Sequence, residues 1–293
     1  MKIAVYSRKG TPQHEGCVLQ LVERLQSRSG VETLLYEPFY RSLPAERQQR
    51  AGKVELFAGA PSLPRGAACL ISVGGDGTLL DAAAMVAGTD TPLAGVSAGR
   101  LGFLSGIAMD RAEEAVDDIL AGRFTVEHRS MLRVEGCPDG LRYALNEVCL
   151  QKRGAAIAEI NVHINGEFLN TYWADGIIVA TPTGSTAYSL SAGGPLVSPD
   201  APCIIISPIA PHNLSVRPIV IPDTAALELE MMTRSGSVIA GVDSRSYELP
   251  AGVKLKVQKA DTQVGFIKLG SSSFYRTLRS KLMWGLDARD AKA

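Results

Sequence analysis

The pentapeptide G-G-D-G-T at residues 74–78 has the residue types and spacing best suited to chemistry in this chain. It follows an apolar run, residues 68–73, that predicts a buried strand, and it precedes an alanine-rich segment that predicts a helix. Glycines let the backbone turn tightly, and the N–H groups at a helix start attract anions. We therefore predict a phosphate-binding loop that consists of Gly74, Gly75, Gly77 and Thr78.

Asp76 places a carboxylate inside this predicted phosphate loop. Two like charges about 4 Å apart repel each other by about 4 kcal/mol at an effective dielectric constant of about 20. A carboxylate beside a bound phosphate therefore needs a physical reason. A Mg²⁺ ion between the charges, or a hydroxyl proton for Asp76 to accept, would supply one, and both are features of phosphoryl transfer. The structural alternative is a tight turn in which Asp76 caps the local backbone. Thr78 and Asp81 have the spacing of a capping box, which predicts a helix start at Thr78.

A second glycine-containing turn, residues 97–103, follows the next predicted strand. Neighbouring parallel strands end at one edge of a sheet, where ligands bind, so this turn is expected near the first loop. Its Phe103 is predicted either to face a nucleotide base or to be a core aromatic. The G-x-G-x-x-G and G-x-x-x-x-G-K-[ST] fingerprints do not occur in the sequence, which argues against the dehydrogenase and P-loop classes.

Two polar segments lie further along the chain. Residues 175–195 contain D-G, a short apolar strand and then T-P-T-G-S-T-A-Y-S-L-S-A-G-G-P. Hydroxyls and open backbone suit ribose and phosphate recognition, and Tyr188 can stack on a base. The pair Asn146-Glu147 interrupts an apolar strand predicted at residues 143–150. A buried polar pair needs partners, although this one could equally form the solvent face of an edge strand.

The elements that must position these residues change in character near residue 124. Strands alternate with helices up to residue 123, and only residues 41–66 lack a clear pattern and are expected to form a long, mobile connection. Residues 124–270 have the period of two typical of strands and a hairpin signal at Asn165-Gly166. The expected fold class is α/β: an N-terminal open parallel α/β domain (1–123), then an all-β, sandwich-like domain (124–270). A helix within residues 271–293 is expected to pack back on the N-terminal domain.

The composition argues against several other classes of protein. The 30 basic and 30 acidic side chains cancel, so no basic excess favours a nucleic-acid partner. No apolar run reaches about 18 residues and no signal-peptide pattern is present, so we expect a cytoplasmic protein without a membrane partner. The 5 cysteines include no C-x-x-C pair, which does not fit a disulfide framework or a zinc ribbon.

Together these segments resemble the NAD kinase family. The resemblance rests on G-G-D-G-T at 74–78, Asn146-Glu147, the stretch at 175–195, and P-H-x-L-S-x-R-P at 211–218. The stretch at 175–195 is highly specific, whereas phosphofructokinases and diacylglycerol or sphingosine kinases resemble the first loop as well. The resemblance implies transfer of the ATP γ-phosphate to the adenosine ribose 2′-hydroxyl of NAD with Mg²⁺, by a homodimer or homotetramer.

The resemblance also implies roles for individual residues. Asp76 matches the catalytic aspartate that accepts the hydroxyl proton, the pair Asn146 and Glu147 matches a contact to the NAD ribose, and Asp175 matches a residue that reaches the nicotinamide end. No side chain is assigned as a direct metal ligand. The expected NAD-binding residues are Asp76, Gly77, Phe103, Asn146, Glu147, Asp175, Thr183, Thr186, Ala187, Tyr188, Ser189 and Ser191.

Two other functions and two departures from the family pattern remain open at this point. A lipid kinase of the diacylglycerol type shares the first loop but needs an apolar cleft, and a non-catalytic dinucleotide-sensing protein would bind phosphate better without Asp76. Arg245 stands where the family usually has a glutamine two residues after an aspartate, so the contact of that glutamine is not carried over. Trp173 stands where many bacterial members have an arginine.

Trp173 therefore offers a π-face where the arginine would offer a positive charge. Oxidised nicotinamide is cationic and reduced nicotinamide is neutral, and a tryptophan face attracts a cation by about 0.5–2 kcal/mol. We expect kcat/KM to favour NAD over NADH by about three- to thirty-fold. Trp173→Leu keeps the bulk and removes the quadrupole, so it should move this ratio toward one. An unchanged ratio would show that Trp173 only packs in its hairpin.

Overall fold

A computed structural model describes residues 1–99, 102–138, 142–270 and 273–283 of the chain. The chain forms two compact units, and the division falls within two long strands, Thr125–Glu135 and Lys254–Lys268. The first unit contains residues 1–128 together with the chain from Val264 onward, and the second contains Arg129–Gln263.

The first unit alternates strands with helices, as the sequence predicts. Its elements up to residue 124 are β1 (Lys2–Tyr6), α1 (Pro12–Gln26), β2 (Glu32–Tyr36), α2 (Glu37–Ser42), α3 (Ala45–Arg50), β3 (Glu55–Phe57), β4 (Cys69–Val73), α4 (Asp76–Val86), β5 (Leu93–Ser97), β6 (Ile107–Ala108) and α5 (Ala112–Leu120). The strands pair in parallel in the order β5-β4-β1-β2-β3, and β6 adds beside β5. This order brings the loops after β1, β4 and β5 to one edge of the sheet.

The core of this unit explains why the strands have continuous apolar sequences. All five residues of β4 and of β5 are buried, because helices cover both faces of a parallel sheet. Helix α1 contributes an apolar stripe with Val18, Leu21 and Leu25 fully buried. Burial of each such side chain contributes about 1.5–3 kcal/mol to stability.

The prediction of a long, mobile connection at residues 41–66 is wrong. The structure places the end of α2, all of α3, strand β3 and a short 3-10 turn, Ala60–Ser62, in this segment. Phe57 is buried and its ring lies 5.6 Å from that of Tyr36, since β3 pairs in parallel with β2. One anchoring aromatic and an existing strand partner therefore order a segment whose local pattern is weak.

The second unit is built from antiparallel strands. Its elements, with the last strand continuing into the first unit, are β7 (Thr125–Glu135), β8 (Tyr143–Ala144), β9 (Glu147–Lys152), β10 (Ala158–Ile164), β11 (Glu167–Trp173), β12 (Gly176–Ala180), α6 (Tyr188–Ser191), β13 (Cys203–Ile209), β14 (Ile219–Pro222), β15 (Ala226–Thr233), β16 (Ser237–Val242), β17 (Arg245–Pro250) and β18 (Lys254–Lys268). One sheet has the order β14-β13-β12-β9-β16-β17, and another has the order β11-β10-β15-β18. Both bury one face in a common apolar core, which confirms the predicted α/β domain followed by a β-sheet domain.

The predicted hairpin and the C-terminal helix both occur. Asn165 and Gly166 have φ angles of 52° and 83°, as a two-residue turn with two left-handed positions requires, and β10 pairs with β11 across them. Helix α7 (Phe274–Leu282) belongs to the first unit and buries Leu278. The rest of the predicted tail, residues 271–272 and 284–293, lies outside the described residues. Within the described part of the chain, no helix has the length and apolarity that a membrane crossing demands.

Candidate active site

Helix α4 begins at Asp76 rather than at Thr78, so the predicted capping box is wrong. Gly75 is the N-cap residue, and it has no side chain that could cap the helix. Asp81 instead accepts a hydrogen bond from the Tyr6 hydroxyl at 3.0 Å and pairs with the Arg8 guanidinium at 2.5 Å. Burial and the Asp81 charge raise the pKa of Tyr6, so the phenol remains a donor. Asp81 is therefore engaged by residues at the end of β1 and is not available for capping.

The Asp76 carboxylate is held by the turn that follows β5. Oδ2 accepts the backbone N–H of Phe103 at 2.8 Å, and Oδ1 accepts those of Leu104 at 3.2 Å and Ser105 at 3.0 Å. The Ser105 hydroxyl also donates to Oδ1 at 3.0 Å. Gly102 allows this approach, because a Cβ built on it would overlap Oδ1. The structure thus brings the two glycine-containing loops together through Asp76.

These four hydrogen bonds change how Asp76 can react. A carboxylate offers about four acceptor positions, two on each oxygen, and the turn at 103–105 places three donors on Oδ1 and one on Oδ2. A further hydroxyl can therefore bond to Oδ2 while the loop stays in place. The Ser105 hydroxyl can also leave Oδ1 at low cost, because it rotates without moving the backbone. Phe103 takes part through its N–H group, and the contact of its ring with a base stays a prediction.

A cavity of about 440 Å³ lies at the same sheet edge of the first unit. Its lining residues come from the ends of β1, β4 and β5 and from the starts of α1 and α4, and they are Arg8, Lys9, Gly10, Thr11, His14, Gly74, Gly75, Thr78, Ser97, Ala98 and Gly99. Two helix starts and two cationic side chains around one cavity favour a phosphate-bearing ligand. Of the predicted phosphate-loop residues, this cavity includes Gly74, Gly75 and Thr78.

The sequence analysis did not identify Arg8, Lys9 and His14. His14 Nε2 lies 2.7 Å from the Ser7 hydroxyl, which donates to the Val73 carbonyl at 2.9 Å. The Ser7 oxygen therefore accepts from His14, and burial lowers the pKa of His14, which keeps the imidazole neutral. The signal that could have found these residues is their position just after the first strand of a parallel sheet.

In the second unit, Asn146 and Glu147 lie at a bend and not in an unbroken strand. The predicted strand at 143–150 divides into β8 and β9, so this prediction is wrong in its continuity. The Asp243 carboxylate accepts the N–H groups of Leu145 and Asn146, each at 2.8 Å, and that of Glu147 at 3.2 Å. Hydrogen bonds to this distant carboxylate replace those of a continuous strand pair.

Three of the predicted NAD-binding side chains carry buried oxygens with no partner in the described protein. They are Asn146 Oδ1, Glu147 Oε2 and Thr183 Oγ1, on residues that are 7%, 9% and 4% exposed. A buried polar atom without a hydrogen bond costs about 1–3 kcal/mol. Ligand hydroxyl groups would satisfy such oxygens, which is the observation that most directly indicates a binding site here.

Glu147 is also electrostatically unusual. Burial and the neighbouring charge of Asp243 raise the pKa of Glu147 to about 8, although a backbone N–H from Tyr188 acts in the opposite direction. Burial raises the pKa of Asp243 too, but the three N–H groups that point at it favour its charged form. The Glu147 carboxyl group is therefore protonated near neutral pH.

The stretch at 181–195 folds tightly against this bend. Thr183–Thr186 form a 3-10 turn and α6 follows, while a Cβ on Gly184 would overlap the Asn146 carbonyl. Tyr188 is 38% exposed, and its hydroxyl accepts from the Gln151 amide at 2.6 Å, so its ring remains accessible. The Ser189 hydroxyl is fully buried and bonded to that of Ser207 at 3.0 Å, so it supports the fold in this conformation.

The remaining predicted residues occupy more open positions. Asp175 forms an ion pair of 2.7 Å with Lys152 and is partly exposed. Thr186 and Ala187 are partly buried, and Ser191 is exposed at the end of α6. Trp173, at the end of β11, is 50% exposed. Arg245 donates to the Tyr143 carbonyl at 2.7 Å, and this contact is what the chain has at the position of the usual glutamine.

Comparisons of this chain with known proteins indicate one family. The model of the ATP-NAD kinase N-terminal domain matches residues 8–124, and that of the ATP-NAD kinase C-terminal domain matches residues 145–269. A curated NAD kinase from Cytophaga hutchinsonii is 43% identical over 225 residues, which are 75% of this chain and 77% of the relative. One from Bacteroides fragilis is 37% identical over 297 residues, covering 99% and 100% of the two chains.

Two solved structures share the fold. The crystal structure of yeast NADH kinase complexed with NADH has a TM-score of 0.87 at 23% identity and covers 98% of this chain and 88% of that one. An NAD kinase from Archaeoglobus fulgidus in complex with ATP has a TM-score of 0.73 at 24% identity, with coverages of 97% and 99%.

The contact between Gly102 and Asp76 gives a prediction that needs no activity assay. In Gly102→Ala the new Cβ overlaps Oδ1, and rotation of the flexible Asp76 side chain is the cheapest relief. Each lost bond to a carboxylate is worth about 1.5–3 kcal/mol, so the amides of residues 103–105 should exchange with deuterium about tenfold faster or more. Gly106→Ala is the matched control, because a Cβ there meets no atom within 4 Å. Equal protection in wild type and Gly102→Ala would contradict the described contact.

Proposed function

The chain belongs to the NAD kinase family and is a phosphotransferase with an alcohol acceptor, and we propose that the residues described above carry this reaction. In the proposed reaction, the γ-phosphate of ATP passes to the 2′-hydroxyl of the adenosine ribose of NAD, which yields NADP. The buried, unpartnered oxygens of Asn146, Glu147 and Thr183 carry the proposal, because a sugar presents hydroxyl groups, which can both donate to such side chains and accept from them. The same polar set gives no support to an acyl-chain substrate.

ATP is proposed to place its phosphates in the cavity of the first unit. The starts of α1 and α4 present N–H groups there, and Arg8 and Lys9 add positive charge. A helix start and a cation each stabilise a phosphate anion, and together they compensate the charge that Asp76 adds nearby. The ion pair with Asp81 fixes the direction of the Arg8 guanidinium.

Asp76 is proposed to accept the proton of the attacking hydroxyl. The backbone N–H groups of Phe103, Leu104 and Ser105 fix the carboxylate, while Oδ2, which accepts one of them, keeps an acceptor position for the hydroxyl. The hydroxyl oxygen then forms a bond to the γ-phosphorus as the bond to the β,γ-bridging oxygen breaks. The proton resides on Asp76, and ADP leaves with the bridging oxygen.

Mg²⁺ is proposed to enter with ATP. No cluster of three or more His, Cys, Asp or Glu side chains among the described residues could hold a metal ion by itself. Mg²⁺ does not require such a cluster, because it commonly keeps several waters and binds substrate phosphates with only one or two carboxylates. The bound ion would neutralise charge on the phosphates. A homodimer or homotetramer is proposed on the family resemblance alone, and the cytoplasmic location expected from the sequence patterns stays a proposal.

Replacement of Asp76 tests the proposed function directly. Wild type incubated with ATP, Mg²⁺ and NAD should form NADP and ADP in equal amounts, and diacylglycerol should not replace NAD. Asp76→Asn keeps the shape and removes the proton acceptor, so kcat should fall by about 10²–10⁴ while NAD still binds. Asp110→Asn, which replaces an exposed carboxylate of the same unit, should leave kcat unchanged. A kcat for Asp76→Asn within twofold, about 0.4 kcal/mol, of wild type would exclude Asp76 as the base.

The raised pKa of Glu147 predicts how NAD binding depends on pH. Below a pKa of about 8 the carboxyl group is protonated and can donate to a ribose oxygen; above it, the charged form loses that donor. We expect the Kd for NAD, measured by calorimetry, to rise by up to about tenfold per pH unit above this value. Glu147→Gln resembles the protonated form, so it should bind NAD within about threefold of wild type at pH 7 and show no rise. A large loss of affinity for Glu147→Gln at pH 7 would show that the carboxylate is required.

A further inference from the structure

We propose that Asp243, in the turn between β16 and β17, is a positioning residue that holds the bend at Asn146 and Glu147 in the form that binds NAD. This inference rests on the proposed function of the bend. Asp243 is not among the residues predicted to contact NAD, and in the described structure its carboxylate contacts backbone N–H groups of the bend.

The contacts between the turn and the bend run in both directions. The Asp243 carboxylate accepts three successive N–H groups, and the Asp243 N–H donates to the Glu147 carbonyl at 3.0 Å. Arg245, two residues later, donates to the Tyr143 carbonyl at 2.7 Å. Five hydrogen bonds from one short turn therefore fix both ends of the bend.

Without this turn, the backbone N–H groups of the bend would lack hydrogen-bond acceptors. Leu145 is fully buried and Asn146 is 7% exposed, so their N–H groups would be orphaned if Asp243 were removed. From the other side, the Thr181 hydroxyl donates to the Leu145 carbonyl at 2.6 Å and the Thr181 N–H donates to the Asn146 carbonyl at 2.8 Å. The backbone of the bend is thus bonded on both sides, while the Asn146 and Glu147 side chains each keep an unpartnered oxygen.

A carboxylate suits this position better than an amide. The Leu145 N–H points at Oδ2 and those of Asn146 and Glu147 point at Oδ1, so both oxygens must be acceptors. Asparagine offers only one acceptor oxygen and would set its NH₂ group against one of the donors. Asp243 itself has a φ of 52°, a left-handed conformation that aspartate and asparagine tolerate better than most residues.

Asp243 also affects the protonation of Glu147. Both residues line a cavity of about 180 Å³, together with Cys149, Tyr188 and Arg245. After burial, the charge of Asp243 is the second cause that raises the pKa of the Glu147 carboxyl group. The hydrogen bond from the Tyr188 N–H lowers this pKa. A residue that only stabilised the fold would not change the pH dependence of ligand binding, so this property separates positioning from general stability.

Asp243→Asn should therefore change NAD binding in two ways. The Kd for NAD at pH 7 should rise by about ten- to a hundredfold, since one N–H of the bend loses its acceptor. The pH at which NAD binding weakens should fall by roughly one unit or more, because the charge beside Glu147 is gone. The KM for ATP should stay within about twofold of wild type, since the proposed ATP cavity belongs to the first unit.

Three further variants keep the test decisive. Asp261→Asn removes an exposed carboxylate from the same unit and should change none of these values. Arg245→Ala removes the contact to Tyr143 and should weaken NAD binding, whereas Arg245→Gln can still donate to that carbonyl and should bind NAD more tightly than Arg245→Ala. The two Arg245 variants remain informative if Asp243→Asn does not fold, which thermal unfolding would reveal.

The outcomes separate this inference from the proposed function. A wild-type protein that forms no NADP from ATP and NAD overturns the proposed function itself. If wild type forms NADP but Asp243→Asn binds NAD with unchanged affinity and unchanged pH dependence, Asp243 is not a positioning residue. An equal loss of NAD and ATP affinity would assign Asp243 to general stability and would also overturn the proposal.

Discussion

A carboxylate that accepts backbone N–H groups from a distant loop is the interaction on which both candidate sites depend. In the first unit, Asp76 accepts hydrogen bonds from the N–H groups of residues 103–105. In the second unit, Asp243 accepts hydrogen bonds from those of residues 145–147. Each bond to a charged acceptor is worth about 1.5–3 kcal/mol. Such a cluster can fix a loop that has no regular secondary structure and hold its side chains in one place.

The two carboxylates differ in what they leave available. Asp76 has one donor, the Ser105 hydroxyl, that can rotate away, so this carboxylate can both shape a loop and take part in chemistry. Asp243 is met by backbone N–H groups, and it shapes the bend while Glu147 beside it carries the proton. Burial next to a fixed negative charge is what makes Glu147 neutral near pH 7. One kind of interaction therefore holds the proposed proton acceptor in one unit and a neighbour of the protonated Glu147 in the other.

Much of this arrangement could be predicted from the sequence. The period of the apolar residues predicted an α/β unit followed by a β-rich unit. The glycines at 74–78 predicted a turn at the end of a buried strand. Tyr188 and the pair Asn146-Glu147 were singled out because polar groups beside apolar strands need partners. The cationic residues Arg8 and Lys9 were not identified, because only their position after the first predicted strand distinguishes them from any exposed pair of basic residues. Their importance comes from the parallel order of the sheet, which places the end of β1 beside that of β4.

The two local errors at the sites have one physical cause. A capping box was expected at Thr78 and an unbroken strand at 143–150, since both patterns satisfy backbone groups with near neighbours. The structure uses partners 73 to 75 residues away for Asp81 and 96 to 98 residues away for Asp243. A short-range pattern cannot include such partners, and a carboxylate outcompetes a neutral acceptor for an N–H group because its bonds are stronger. Local rules are therefore expected to fail where a charged side chain from elsewhere in the chain replaces the local hydrogen-bond partner, and in this chain those positions are the candidate site residues.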